Sequence, residues 1–193
     1  MPRNELFYWR NKEGAHDLLI LLGVEPDLNW PMYVEAILRI SRDMNVPRIY
    51  AMGGVADRVP HTVETPVTAS VSNQNLADEV TRQGMDLTEY AGPSSVHSLI
   101  VHECSKAGIE VISVWGHTPI YVRRKNSKAT YYVLRKVARM MEMTVDLEDL
   151  IREGERLTRR LDREVDRNPQ LRGLVESLDV EYRLSRRRPT YIT

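Results

Sequence analysis

The chain lacks the cysteines, long apolar runs and signal peptide that are typical of several large classes of protein. Its single cysteine, Cys104, excludes an intrachain disulfide and any metal site built from several cysteines, which is typical of a reducing compartment. No apolar run approaches the roughly 20 residues that a membrane-spanning helix needs, and the N-terminus lacks the layout of a signal peptide. We therefore expect a cytoplasmic protein without a membrane partner.

An excess of charge of either sign is also missing. The 27 lysines and arginines balance the 27 aspartates and glutamates, so no overall field attracts nucleic acid, and we expect none as a partner. The length of 193 residues is enough for one well-buried α/β domain with a remainder, but too short for two comfortable domains.

The usual motifs of catalysis and cofactor binding are absent as well. The sequence has no G-x-G-x-x-G or G-K-[ST] for phosphates, no G-x-S-x-G and no H-E-x-x-H. His97 and His102 are five positions apart, which places them on different faces of a helix and argues against a metal site. Cys104 falls inside an amphipathic segment, where a cysteine is usually a small buried apolar residue. We expect no metal, no cofactor and no catalytic set.

Two apolar runs bounded by glycine and proline stand near the start of the chain. Residues 18–22 and 48–52 are typical of strands buried on both faces, and the amphipathic segment 30–44 between them predicts a crossover helix. Together they predict a βαβ unit in a mainly parallel sheet. Residues 5–9 and 16–22 also predict an antiparallel hairpin that opens this sheet.

Polar residues and glycines follow these runs, where a parallel sheet usually binds its ligands. The candidate cleft consists of Glu25, Gly53, Gly54, His61, Thr62 and His117. We expect Glu25, His61 and His117 to converge, as acid–base chemistry would require. Glu25 is equally suited to bracing its loop. Gly53 and Gly54 would let an anion approach the backbone, or form a tight turn after the strand.

The rest of the chain predicts further elements and three regions. We expect an extended segment over 64–72, a strand over 109–115 and helices over 76–83, from Ser94 or Ser95 to 106–108, and over 126–143. These elements complete an α/β domain over 1–144. Apolar residues at three- and four-residue steps on either side of Asn168-Pro169 predict a charged helical hairpin over 145–182. Its apolar stripe packs either on the domain or on another subunit.

The end of the chain, 183–193, predicts a flexible basic tail. It joins an arginine cluster to an apolar, tyrosine-bearing terminus, a composition that can dock into a pocket of a partner protein. The residues predicted to bind a partner are Arg186, Arg187, Arg188, Tyr191, Ile192 and Thr193.

A series of short motifs runs through the chain and consists of Leu22, Gly23, Val24, Glu25, Pro26, Trp30, Tyr33, Arg48, Ile49, Tyr50, Gly53, Gly54, Val59, Pro60, His61, Thr62, Pro66, Val67, Tyr90, Gly92, Pro93, Ala107, Gly108, Ile109, Ser113, Trp115, Pro119, Tyr121, Val122, Asn126, Lys128, Ala129 and Thr130. By these motifs and their order, the sequence resembles the archaeal and bacterial branch of the proteasome assembly chaperone family. The resemblance covers residues 18–180.

The resemblance implies a three-layer αβα sandwich, similar to that of purine nucleoside phosphorylases, with the helical hairpin attached. It also implies a homo-oligomer that binds proteasome α subunits and is not an enzyme. The alternative is a small-molecule enzyme of the nucleoside phosphorylase or hydrolase type. That enzyme would use Glu25, Gly53, Gly54 and His61 around a phosphate or a ribose.

Overall fold

A computed structural model describes residues 3–12, 16–88 and 95–187 of the chain. The strands are β1 (Glu5–Trp9), β2 (Leu18–Leu22), β3 (Arg48–Asp57), β4 (Val67–Val71), β5 (Asp86–Leu87) and β6 (Glu110–Pro119). The helices are α1 (Trp30–Asp43), α2 (Gln74–Arg82), α3 (Val96–Lys106), α4 (Ser127–Met140), α5 (Glu148–Arg167) and α6 (Pro169–Arg187). Within this part of the chain, no helix combines the length and the apolar character needed to cross a membrane.

The main sheet has the strand order β3-β6-β4-β5. β3 runs parallel to β6 and β5 runs parallel to β4, whereas β4 and β6 are antiparallel. Side chains of β6 alternate between two cores, as the period of a strand requires. Val111 packs with α1 and α3, while Ile112 and Val114 pack with α2 and α4. The expected α/β fold with helices on both faces of a mainly parallel sheet is confirmed.

The residues that the sequence predicts at the ends of helices do begin or end those helices in the structure. Asn73, Ser95 and Asn126 each accept a hydrogen bond from a backbone N–H in the first turn of α2, α3 and α4. Gly84 follows α2 with a φ of 69°, the left-handed conformation that glycine adopts most readily. Ser94, the other cap considered for α3, lies outside the described residues.

The predicted βαβ unit over 18–52 is wrong. The predicted antiparallel pairing of β1 with β2 is confirmed, but the two strands form a sheet of their own, and the parallel neighbour of β3 is β6. An apolar run indicates a strand but does not say which strand it joins. Pairing over a short loop is local and therefore competes well with a crossover connection.

Gly53 and Gly54 do not end their strand either. β3 continues to Asp57, with Gly53 opposite Trp115 and Gly54 opposite Gly116 of β6. The tight turn considered for this pair is therefore wrong.

The charged hairpin forms as α5 and α6, which meet at Asn168. Three of its apolar residues, Leu161, Val175 and Leu178, are buried in the single chain, so this part of the stripe packs within the subunit. α6 continues to Arg187, which means that residues 183–187 belong to this helix and not to the predicted tail. The remaining tail residues, Arg188 to Thr193, lie outside the described residues, as do the side chains of Arg186 and Arg187.

Candidate functional site

His61 and His117 line the same small cavity beyond the carboxyl ends of β3 and β6. The segment after β3 forms one wall of the cavity, and α4 and α5 form the others. The volume is about 10 Å³, which is room for about one water molecule. Apolar and polar side chains of the protein itself, among them Val59, Lys128 and Leu161, fill the rest of the space.

His117 links three strands through its imidazole ring. Its Nδ1 lies 2.7 Å from Oδ2 of Asp57 on β3, and its Nε2 lies 2.9 Å from Oγ1 of Thr68 on β4. The hydrogen bond with His117 lowers the pKa of Asp57. This carboxylate–imidazole–hydroxyl chain fixes the orientation of the ring. It could polarise the Thr68 hydroxyl, but the cavity beside His117 has no space for a substrate larger than water.

His61 is bonded on both sides of its ring, and its side chain is only 4% exposed. The Tyr121 hydroxyl accepts a hydrogen bond from the backbone N–H of His61 and lies 2.7 Å from Nδ1, while Nε2 lies 3.2 Å from Oδ1 of Asp162 on α5. These contacts fit a tautomer in which Tyr121 donates to Nδ1 and Nε2–H donates to Asp162. Burial raises the pKa of Tyr121 to about 12, so its proton is retained at neutral pH.

The whole segment 58–63 is fastened to the C-terminal helices. Arg58 forms an ion pair with Glu181 on α6 at 2.9 Å, and the Thr62 hydroxyl donates to Asp179 on α6 at 2.7 Å. With the bond between His61 and Asp162, these contacts connect the end of β3 to both helices of the hairpin. We call this set of contacts the clasp.

Lys128, in the first turn of α4, holds the same segment from the other side. Its Nζ donates to the carbonyl oxygens of His61 and Val63 at 2.8 and 2.7 Å. Burial lowers the pKa of Lys128, because the charged ammonium loses hydration. Two short bonds to carbonyl oxygens replace part of that hydration, so this lysine is bonded within the protein and not presented to an anion.

Glu25 lies at the start of α3 and not beside His61 and His117. Its Oε1 accepts a hydrogen bond of 3.2 Å from the backbone N–H of Val96, and a carboxylate at the N-terminus of a helix is favoured by the helix dipole. The expected convergence of Glu25 with the two histidines is therefore wrong. The reason is that β2, which leads to Glu25, is not a strand of the main sheet.

Gly53 provides space for a tryptophan. A Cβ atom built on Gly53 would lie 2.7 Å from Cζ3 of Trp115. The indole Nε1–H donates to Oγ of Ser113 at 3.0 Å, and the ring centroid is 4.6 Å from that of His97. Gly53 thus lies under a fixed aromatic ring, which occupies the space that an anion would need there.

A second concave surface is a groove of about 350 Å³ between α4 and α5. Tyr131 and Tyr132 of α4 line one side, and Leu150 and Ile151 of α5 line the other. Arg135 stacks on both tyrosine rings, 5.3 and 4.7 Å from their centroids. Tyrosine and arginine are enriched at the centres of protein–protein interfaces.

Sequence reasoning missed several residues that hold the clasp and the cavity. Tyr121 and Lys128 do carry a signal, because both stand in the motif series. Asp162 and Asp179 carry none, because an acidic residue on a charged helix is indistinguishable from its solvated neighbours. Across residues 3–12, 16–88 and 95–187, no three His, Cys, Asp or Glu side chains are grouped so that they could hold a metal ion.

Cys104 is fully buried in the core formed with α1 and α3. Burial also raises the pKa of its thiol. Its interpretation as a small buried apolar residue is confirmed.

Comparison with known proteins agrees with the motif series. The family model described as the PAC2 family matches residues 1–165. A search of curated proteins finds no match. A proteasome-assembly chaperone homologue from Mycobacterium tuberculosis is 26% identical in sequence, with a TM-score of 0.78 over 90% of this chain and 73% of that one.

Two further solved structures have the same fold. A Mycobacterium tuberculosis protein of unknown function is 24% identical, with a TM-score of 0.83 over 95% of this chain. This chain spans only 62% of the length of that protein. PbaB, an archaeal proteasome activator from Pyrococcus furiosus, is 20% identical, with a TM-score of 0.71 over 86% of this chain and 72% of that one. These findings confirm the resemblance and the fold that it implied.

Proposed function

Because this chain belongs to the PAC2 family, we propose that it is a chaperone-like protein that assists proteasome assembly by binding proteasome α subunits. The observation that carries the proposal is the family match together with a relative named as a proteasome-assembly chaperone homologue, 26% identical over 90% of the chain. The protein with a similar fold that is named as a proteasome activator agrees with it.

The geometry at the strand ends supports binding through a surface. The two histidines expected to do chemistry there are each bonded on both sides of the ring to neighbouring side chains. His117 binds Asp57 and Thr68, and His61 binds Tyr121 and Asp162. The cavity they share has room for about one water molecule. A nucleoside or a phosphate ester would have to displace several of these side chains before it could enter.

The clasp holds the C-terminal helices in a defined position, and it therefore also fixes the point from which the tail starts. Through Glu181 and Asp179, which are six and eight residues before Arg187, α6 is bonded to the segment after β3. The predicted partner-binding residues Arg186, Arg187, Arg188, Tyr191, Ile192 and Thr193 would therefore start from a fixed point on the domain. A few tail residues bind weakly once their ordering entropy is subtracted, so useful affinity needs several copies of the tail on one assembly.

Co-purification with proteasome α subunits of the same organism tests the proposal. We expect the full-length chain to retain the α subunits at micromolar concentration. No association of the intact chain under these conditions would count against the proposed function itself.

The role of the tail is tested separately from the function. A chain shortened after Arg187 should bind less tightly, and a chain with the order of residues 188–193 scrambled is the matched control for length and charge. If both variants bind as the wild type does, the tail plays no part, and the assembly role has to be assigned to another surface such as the groove between α4 and α5.

A further inference from the structure

The connection between β6 and α4 presents three consecutive basic side chains to solvent. Arg123, Arg124 and Lys125 are all exposed. In the part of the chain that the structure describes, none of these three side chains forms an ion pair or a hydrogen bond. Exposed arginines of α5 are instead paired with acidic residues one turn away, as Arg160 is with Glu164 at 2.9 Å.

Two acidic residues near this connection are turned to other groups. Asp57 contacts the imidazole of His117 at 2.7 Å, and Glu153 accepts a hydrogen bond of 2.6 Å from the Ser127 hydroxyl. The three adjacent positive charges therefore stay without a direct partner and repel one another, a cost that carboxylates of a bound molecule would offset. We call residues 120–126 the basic loop.

The basic loop is held in place at both of its ends. The backbone N–H of Ile120 donates to the carbonyl oxygen of Asp57 at 3.0 Å. At the other end, Asn126 accepts a hydrogen bond from the backbone N–H of Ala129, and its Nδ2 donates to Oγ1 of Thr118 at 3.3 Å. Since the ends of the loop are fixed before a partner arrives, binding costs less ordering entropy.

From these observations we propose that the basic loop binds a carboxylate-rich segment of a partner protein. The guanidinium group of arginine presents a planar fork of N–H donors that matches a carboxylate. The positive end of the α4 dipole follows the loop directly, and the first turn of α4 contains no acidic residue. Ile120, which is 42% exposed, adds an apolar contact beside the charges, and protein interfaces combine the two in the same way.

A nucleic acid fits the basic loop less well than an acidic protein segment does. Proteins that bind single strands use a positively charged groove that follows the phosphate backbone. Here the charges of the whole chain balance, and the basic loop is one short cluster. A protein partner needs only a local match of charge, which also speeds association. The inference does not rest on the proposed function, because it concerns the chemistry of a partner surface and not a particular partner.

Fluorescence anisotropy of a labelled peptide of about ten glutamates, titrated with the full-length chain, tests the proposal. The titration is made at about 20 mM salt, where exposed charges are least screened. The wild type should bind the peptide, and binding should weaken as salt is added. The combined variant Arg123→Gln, Arg124→Gln and Lys125→Gln should raise the dissociation constant at least about tenfold, because three exposed ion pairs are lost.

Two further variants each remove the same amount of positive charge elsewhere in the chain. Both should raise the dissociation constant less than about threefold, because the basic loop is intact in each. One variant replaces paired arginines of α5 by glutamine, and the other replaces the C-terminal arginine cluster by glutamine: Arg152, Arg159 and Arg160 in the first, and Arg186, Arg187 and Arg188 in the second.

Circular dichroism and the melting temperature verify that each variant is folded, and Arg124→Gln alone replaces the combined loop variant if that variant is not. A wild type that does not bind the peptide at about 200 µM would overturn the proposal. So would a folded loop variant that binds like the wild type, or a control variant that weakens binding as much as the loop variant does. Tighter binding of an oligothymidylate of the same net charge would assign the loop to nucleic acid and overturn the proposal as well.

Discussion

Replacing Gly53 by alanine should destabilise the protein, because Trp115 fills the space that the added methyl group needs. The new Cβ would lie 2.7 Å from Cζ3 and 2.9 Å from Cε3 of the indole, closer than carbon atoms approach without repulsion. The ring cannot move away easily, since its Nε1–H is bonded to Ser113 and its face lies against His97. The backbone of β3 or the ring has to shift instead.

Two opposing contributions set the magnitude of the change. Overpacking a tightly packed position costs about 1–3 kcal/mol. Alanine recovers about 0.4–1 kcal/mol, because it restricts the unfolded chain more than glycine does. We therefore expect the free energy of unfolding to fall by roughly 1–2 kcal/mol. For a chain of this size, each 1 kcal/mol lowers the melting temperature by about 2–4 °C.

Urea unfolding followed by circular dichroism measures this change, and the adjacent glycine is the matched control. A Cβ on Gly54 meets only the carbonyl oxygen of Gly116, at 3.8 Å, which is an ordinary contact. Gly54→Ala should therefore be neutral or slightly stabilising. If Gly53→Ala is as stable as Gly54→Ala, then the close packing of Trp115 is not the reason for glycine at this position, and the argument fails.

Three more substitutions test other parts of the structure. Leu178→Ala should lower the free energy of unfolding by about 2–5 kcal/mol, because Leu178 is fully buried. In urea titrations the exposed control Val180→Ala should change the free energy of unfolding by less than about 0.5 kcal/mol. Equal effects of the two substitutions would contradict the packing of α6 on its own domain. Asp57→Asn should be less stable than the wild type at pH 7, and the difference in the free energy of unfolding should shrink below about pH 4. A carboxyl whose folded-state pKa is lowered stabilises the fold above its unfolded pKa of about 3.9, and it loses that effect as the pH falls through the folded-state pKa. A constant difference between pH 7 and pH 3 in urea titrations would refute this. Gly173→Ala should raise the melting temperature by roughly 2–4 °C, because alanine favours a helix more than glycine does and the position in α6 has open space around it. A lower melting temperature in calorimetry would mean that another group occupies that space.

The sequence alone determines the local elements, because their signals are local. Asn73, Ser95 and Asn126 start helices through their own side chains, and the proline after Asn168 divides the C-terminal helices. The spacing of apolar residues places the buried stripe of α5 and α6, since three- and four-residue steps return to one face of a helix. The motif series carries the family resemblance in the same way, as residues at fixed positions along the chain.

Only the tertiary structure decides which elements meet. The sequence predicts that β2 pairs with β1, but it does not reveal that this pair forms a sheet of its own and leaves Glu25 at the start of α3. Gly53 is explained by Trp115, which is 62 positions away in the chain but directly opposite in the sheet. Asp162 and Asp179 gain their role from packing that brings α5 and α6 against the segment after β3. Contacts of this kind depend on distance in space, and a linear pattern of residue types carries no record of that distance.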